Sequence, residues 1–248
     1  RSIAMPRLPC LLLCLTLLGG CASQIKDPGG VWINQAAIEA AVETGRLREA
    51  LLTYGPNLEW QIDTARKTAT FSNGFELEEG TLSGEQAQRW SVSFYGETQE
   101  FLALRDNALI QEAGATWPEQ QFVKAQPTTL AESPVGSRFE HSLYQAFLGG
   151  TWKIQQGSGQ GGLVLFHADG RIEGLPASER FALCLAGDCA AMSGEHDSLW
   201  LQLGPEGRPW IFRLEGEKLQ IFAALNRAQP DEMPDLYPGE LHWLLERQ

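Results

Sequence analysis

Basic charge is scarce in this 248-residue sequence: 19 Lys and Arg stand against 31 Asp and Glu, a formal net charge of -12. Neutralising a phosphate backbone takes clustered Lys and Arg, so the balance argues against a nucleic-acid partner. Methionine is scarcer still, with three residues. Only Met192 and Met233 lie beyond the N-terminal apolar segment, which speaks against a Met-rich copper site. The four histidines, His141, His167, His196 and His242, never fall at H-x-x-x-H or H-E-x-x-H spacing, so the zinc-helix signatures are missing. Long apolar runs are missing too. Leu8 to Leu18 spans 11 residues, whereas a bilayer-crossing helix needs roughly 20. What is present is 43% hydrophobic and 20% charged residues, the composition of a folded chain rather than a disordered one. With 26 Gly, 13 Pro and 8 Trp, a coiled coil is excluded.

The N-terminus reads as an address. Arg7 supplies a positive start and Leu8 to Leu18 an apolar core of signal-peptide length. The run ends in Leu18-Gly19-Gly20-Cys21, which resembles the lipobox of bacterial lipoproteins. That resemblance implies cleavage before Cys21 and a diacylglyceryl thioether on its sulfur, and Ala22 in place of Asp implies the outer membrane. More than one acyl chain makes such anchoring stable. Residues 1–20 are then a signal, and 21–30 a lipidated tether. The 11 residues from Cys21 to Trp32 reach at most ~37 Å, which keeps the first domain near the membrane. Removing the signal leaves 17 basic against 31 acidic residues, so the anionic membrane surface repels the body that the lipid holds there.

The five cysteines sort accordingly. Cys10 and Cys14 leave with the signal and Cys21 is the anchor. Cys184 and Cys189 remain, in CLAGDC. An oxidising periplasm lets them pair, and Ala186-Gly187-Asp188 allows a tight turn between them. The alternative, a two-thiolate metal site, needs further ligands.

Two halves carry matching signals in the same order. Gly30-Val31-Trp32 corresponds to Gly150-Thr151-Trp152, Ile62–Phe71 to Phe166–Leu175, Trp90 to Trp200, and Leu102–Leu109 to Phe212–Leu219. A fixed order with drifting offsets is what duplication leaves behind. Short alternating strands punctuated by turns, such as Gly162–Phe166 leading through Asp169-Gly170, predict antiparallel β structure in both halves. Asn34–Tyr54 differs: Asn34 caps a helix, an apolar stripe follows, Gly45 divides it and Gly55-Pro56 ends it. The fold class is therefore mainly β, with two small antiparallel β-barrel or β-sandwich domains and a helical segment in the first; duplication is one reading of the matching order, and chance likeness between two β-rich halves is the other. The expected bounds are 31–125 for the first domain, 126–138 for a linker and 139–248 for the second, which opens on a short helix over Phe139–Leu148.

Gly150-Thr151-Trp152-Lys153-Ile154 followed by Asp169-Gly170-Arg171-Ile172-Glu173-Gly174 resembles the opening of a META domain, a small β structure of bacterial envelope lipoproteins. The Gly-x-Trp start is shared with lipocalin-like barrels. The resemblance covers about residues 149–222 and implies a small envelope barrel rather than an activity. The chain departs from the META pattern at Leu175-Pro176-Ala177-Ser178, where that family continues into Gly-Cys-Asn.

The motifs that carry chemistry do not fill out. Gly157 to Gly162 matches G-x-G-x-x-G, but a strand follows it where a dinucleotide site needs a helix. Ser158 lacks the frame of a nucleophile elbow. Glu195-His196-Asp197, the acidic run Glu76-Leu77-Glu78-Glu79 and Asp231–Asp235 read as solvated loops. Seven of the tryptophans lie on strands and read as core, while Trp117, ahead of Pro118 in a loop, is the candidate exposed binding residue.

No catalytic residue, metal ligand or cofactor is expected. The expected function is a non-enzymatic, outer-membrane-anchored binding or scaffold module facing the periplasm, its partners being the membrane through its lipid and an envelope protein. A lipocalin-like carrier of a small apolar ligand and a hydrolase with a site assembled only in three dimensions are the alternatives.

Overall fold

The structure is a computed structural model and describes residues 27–96, 98–115, 117–126 and 133–248. The signal, Cys21, most of the tether and the centre of the linker lie outside these residues. No described helix is long and apolar enough to cross a membrane.

The first half begins with β1 (Gly30–Ile33), α1 (Gln35–Thr44) and α2 (Leu47–Tyr54). It continues through β2 (Glu59–Asp63), β3 (Thr68–Ser72), β4 (Leu77–Gln86), β5 (Arg89–Ser93), β6 (Gln99–Arg105), β7 (Ala108–Gln111) and β8 (Gln120–Lys124). Each strand pairs antiparallel with the next, and β8 returns to β1 through Trp32↔Lys124 and Ile33↔Val123, closing a barrel. Period-two alternation fills it. In β2 Trp60 and Ile62 are buried while Gln61 is exposed, and Trp32, Val92, Leu102, Leu109 and Phe122 complete the interior. Small barrels of this strand number are filled by their own side chains.

The second half runs α3 (Ser137–Phe147), β9 (Gly150–Gln156), β10 (Leu163–Phe166), β11 (Ile172–Glu173), β12 (Arg180–Leu183), α4 (Gly187–Ser193), β13 (Ser198–Leu203), β14 (Glu206–Glu215), β15 (Lys218–Asn226) and β16 (Leu236–Arg247). Its eight strands form one antiparallel sheet in which β9 pairs with both β10 and β16. The edges β11 and β12 meet only at the Arg171↔Arg180 bridge, supported by Ile172 N–H donating to Glu179 O and Phe181 N–H to Gly170 O. The second barrel is thus nearly closed, with a weak seam at β11 and β12.

The sequence matches between the halves fall on strands of equal rank: β1 with β9, β2–β3 with β10–β11, β5 with β13, and β6–β7 with β14–β15. The correspondence reaches individual bonds. Gly30 and Gly150 both take positive φ, +114° and +111°, a conformation glycine adopts at little cost. Trp32 Nε1 donates to Pro28 O at 2.7 Å and Trp152 Nε1 to Leu148 O at 2.9 Å, each four residues back. The last strand of each barrel lays a cation on that indole, Lys124 at 5.4 Å and Arg247 at 4.2 Å. Arg247 also donates to Gly149 O and Phe147 O, tying the end of α3 to the barrel wall.

The helical segment follows the sequence signals. Asn34 Oδ1 accepts from Ala37 N–H at the start of α1. Gly45, at φ +71°, separates α1 from α2, and α2 ends at Gly55. A Cβ on Gly45 would sit 2.1 Å from the Leu214 carbonyl oxygen, so glycine is also what lets this bend press against β14. Ile38, Leu47, Leu51 and Leu58 share one buried cluster with Phe139, Phe147, Phe212 and Leu214. The inserted helices therefore bury their apolar stripe against the second half.

Four readings of the sequence are corrected. The acidic run Glu76–Glu79 is not a solvated loop but enters β4; the polar segment is extended because β3 and β5 flank it, and strand preference yields to tertiary context. Cys189 lies in α4 rather than in a bare turn. Trp200 is not core: it is 44% exposed on the outer face of β13. Asp197 is not a solvated loop residue, as its contacts below show. Trp32, Trp60, Trp152, Trp210 and Trp243 are buried as expected.

Candidate functional site

The halves are clasped by two carboxylates, each serving a helix of the other half. Asp197, ahead of β13, accepts the Leu47 N–H at 3.0 Å and the Arg48 N–H at 2.6 Å. These are orphan donors of the first turn of α2, which has no side-chain cap of its own. Glu59 of β2, 1% exposed, accepts the Phe139 N–H of α3 at 2.8 Å. Burial pushes the Asp197 carboxyl above its usual range, against the pull of the Arg48 and Leu47 N–H groups. It pushes Glu59 the same way, against the N–H groups of Phe139, Gly136 and Arg138. Glu140 is raised by burial and then by the neighbouring Glu59 charge. A polar network fastens the other end of α2, where Asn34 Nδ2 and Gln120 Nε2 both donate to Tyr54 O, at 2.7 and 2.9 Å.

With both ends of α2 fixed, its outer side borders two depressions at the junction. One is a cleft of about 800 Å3 between α2 and β14, lined by Arg46, Arg48, Glu195, Asp197, Arg213 and Glu215 among others. The second, of about 150 Å3, is lined by Leu52, Pro56, Leu58, Trp117, Leu185 and Ala186. Arg48 and Leu52 line both. Trp117, the residue singled out from the sequence, is 49% exposed and Leu52 68%, so an apolar shelf adjoins a charged cleft. Arg46 is paired with Glu49 at 3.0 Å and Asp197 is committed to α2. Arg48 is the residue that stands out: its buried Nε has no hydrogen-bond acceptor among the described residues. Against the rise from burial, the Arg48 charge facing Asp197 lowers that carboxyl's pKa, so the guanidinium belongs to the clasp as well as to both depressions.

The chain matches no family model, no curated protein and no solved structure. The site is therefore judged on its own chemistry.

Cys184 and Cys189 form a disulfide, with sulfurs 2.10 Å and Cα atoms 5.8 Å apart. It closes the segment holding Leu185 and Ala186, one wall of the Trp117 groove. Cys21 lies outside the described residues. The described residues, His141, His167, His196 and His242 among them, hold no group of three or more His, Cys, Asp or Glu suited to a metal. Gly157–Gly162 links β9 to β10 and carries no helix.

Sequence reading missed Arg48, Glu59 and Asp197. Arg48 sits in an ordinary amphipathic helix pattern. The two carboxylates gain their roles from partners 80 and 149–150 positions away. One local signal existed for Asp197: α2 starts without a Ser, Thr, Asp or Asn in front of it, so its cap had to come from elsewhere.

Proposed function

We propose that this protein is a lipid-anchored, non-enzymatic binding module of the outer membrane, facing the periplasm, and that it holds an envelope protein at the junction of its two barrels. The observation that carries the reading is the exposed Trp117 and Leu52 shelf adjoining a charged cleft, with Arg48 lining both. Interfaces concentrate their energy in Arg and aromatic anchors of this kind. The Leu18-Gly19-Gly20-Cys21 sequence and the short reach to Trp32 support the anchored setting. The likeness of residues 149–222 to META domains supports the envelope. The raised carboxyls Glu59 and Asp197 are spent on helix N–H groups, which supports binding rather than catalysis. A carrier is the second reading, to which the structure offers an open surface depression of about 400 Å3 beside Lys67, Leu82 and Trp90 rather than a space inside the filled barrel.

Native mass spectrometry after mild detergent extraction separates the two. A co-purifying envelope protein supports the module, and a retained small molecule supports the carrier. Cys21→Ser tests the anchor: the protein should move to the soluble fraction, and continued membrane retention would refute lipidation at this residue.

A further inference from the structure

A second surface, independent of the junction, gathers the chemistry of sugar recognition. At the weak seam of the second barrel a pocket of about 170 Å3 is bordered by Trp200, Glu140, Arg180 and Gln202. Trp200 is 44% exposed. Its indole reaches diagonally over Gly207, the register partner of Gln202 on the neighbouring strand, where a Cβ would fall 2.2 Å from the indole nitrogen. One side of the ring is thus backed by main chain, and the residue remains available to solvent. Glycine at 207 is what makes room for this platform.

The polar groups are positioned by the fold. Arg180 and Gln202 are register partners on β12 and β13. Arg180 Nη2 donates to Asp169 O at 3.2 Å, which holds the guanidinium beside the pocket and leaves its other donors for a ligand. Gln202 Nε2 donates to Gly204 O, which leaves its carbonyl as an acceptor. Glu140 reaches the pocket from α3. Burial and then the Glu59 charge raise its pKa, and its carboxyl oxygens can accept from ligand hydroxyls.

We propose that this pocket binds a single neutral pyranose ring, its apolar face on Trp200 and its hydroxyls on Arg180, Gln202 and Glu140. The ligand needs one flat apolar side and a rim of groups that donate and accept, which is the chemistry of a sugar ring rather than of a lipid or an inorganic ion. The volume suits one ring, and a small exposed pocket with few anchors gives weak affinity, in roughly the millimolar range.

The test is saturation-transfer NMR on the folded protein with glucose, galactose and N-acetylglucosamine, and glycerol as the control polyol. At least one sugar should receive saturation on its ring protons while glycerol does not. Trp200→Ala should weaken binding at least tenfold, Trp200→Phe should retain most of it, and Tyr95→Ala, at an exposed aromatic of the first half, should leave it unchanged. Arg180→Met, on an exposed side chain, provides a second loss-of-binding variant should Trp200→Ala disturb the sheet. Transfer to none of the three sugars would overturn the proposal. So would equal transfer to glycerol, or binding that survives both Trp200→Ala and Arg180→Met.

Discussion

Replacing Asp197 with Ala should detach the first turn of α2 from the second half. Two charge-assisted hydrogen bonds are lost, to the N–H groups of Leu47 and Arg48. Each such bond is worth about 1.5–3 kcal/mol where the charge is well accommodated. Here it is not fully so, because burial raises the carboxyl's pKa and the charged form carries a desolvation cost that the substitution removes. Helix caps lost to Ala typically cost about 0.5–2 kcal/mol, and a net loss near 2 kcal/mol is expected. At 1.4 kcal/mol per tenfold, that is a roughly 30-fold rise in opening of the turn. Native-state hydrogen exchange at the Leu47 and Arg48 amides reads it directly, with urea unfolding for the whole chain. Asp197→Asn keeps one acceptor and should show about half the effect. If Asp197→Ala leaves both amides within about threefold of the parent and the urea midpoint unmoved, the clasp contributes nothing and the reasoning fails.

Other expectations follow from the same contacts. Glu59, Glu140 and Asp197 all have carboxyl pKa values raised in the folded state. The native state then holds protons that the unfolded chain releases, so their contribution is fully present below the ordinary carboxyl range and is lost as pH rises through the raised values. Urea stability should therefore gain from these groups as pH is lowered from neutrality toward the ordinary carboxyl range, and Glu59→Gln should flatten the gain; an unchanged slope would sink the assignment. Arg247→Met, which removes the cation over Trp152 and two bonds to the end of α3, should cost roughly 2–4 kcal/mol in urea unfolding; a loss below about 0.5 kcal/mol would contradict the anchoring role. The Cys184–Cys189 disulfide closes only a short loop, so opening it should bring a loss of roughly 2 kcal/mol. It should appear together with faster exchange across α4, and a global stability unchanged on reduction would refute it.

Much of the fold was legible because its signals are local. Asn34, Gly45 and Gly55-Pro56 delimit the two helices through cap and turn chemistry confined to a few residues. The Gly-x-Trp pairs foretold two equivalent starts, and the structure gives them the same glycine conformation and the same indole hydrogen bond. β4 was hidden because its inward positions are Gly80 and Leu82 among polar residues, so the burial alternation of the strand leaves little apolar alternation in the sequence. Trp200 was misjudged because position on a strand does not say which face is covered; the indole turns outward and lies diagonally over Gly207, the partner of Gln202. Of the candidate site, Trp117 was visible as an aromatic in a loop. Arg48 was not, since an unpaired buried Nε is a property of packing between segments far apart in the chain.

The claim that matters most is that the junction holds a partner through Arg48 and Trp117. Native mass spectrometry of gently extracted protein should be run on the parent, on Arg48→Met with Trp117→Ala, and on Leu163→Ala, a control at an exposed apolar residue outside the cleft and groove. A co-purifying envelope protein retained by the parent and by Leu163→Ala, and lost from the double variant, is the predicted result. Equal retention by all three, or none by the parent, would contradict it.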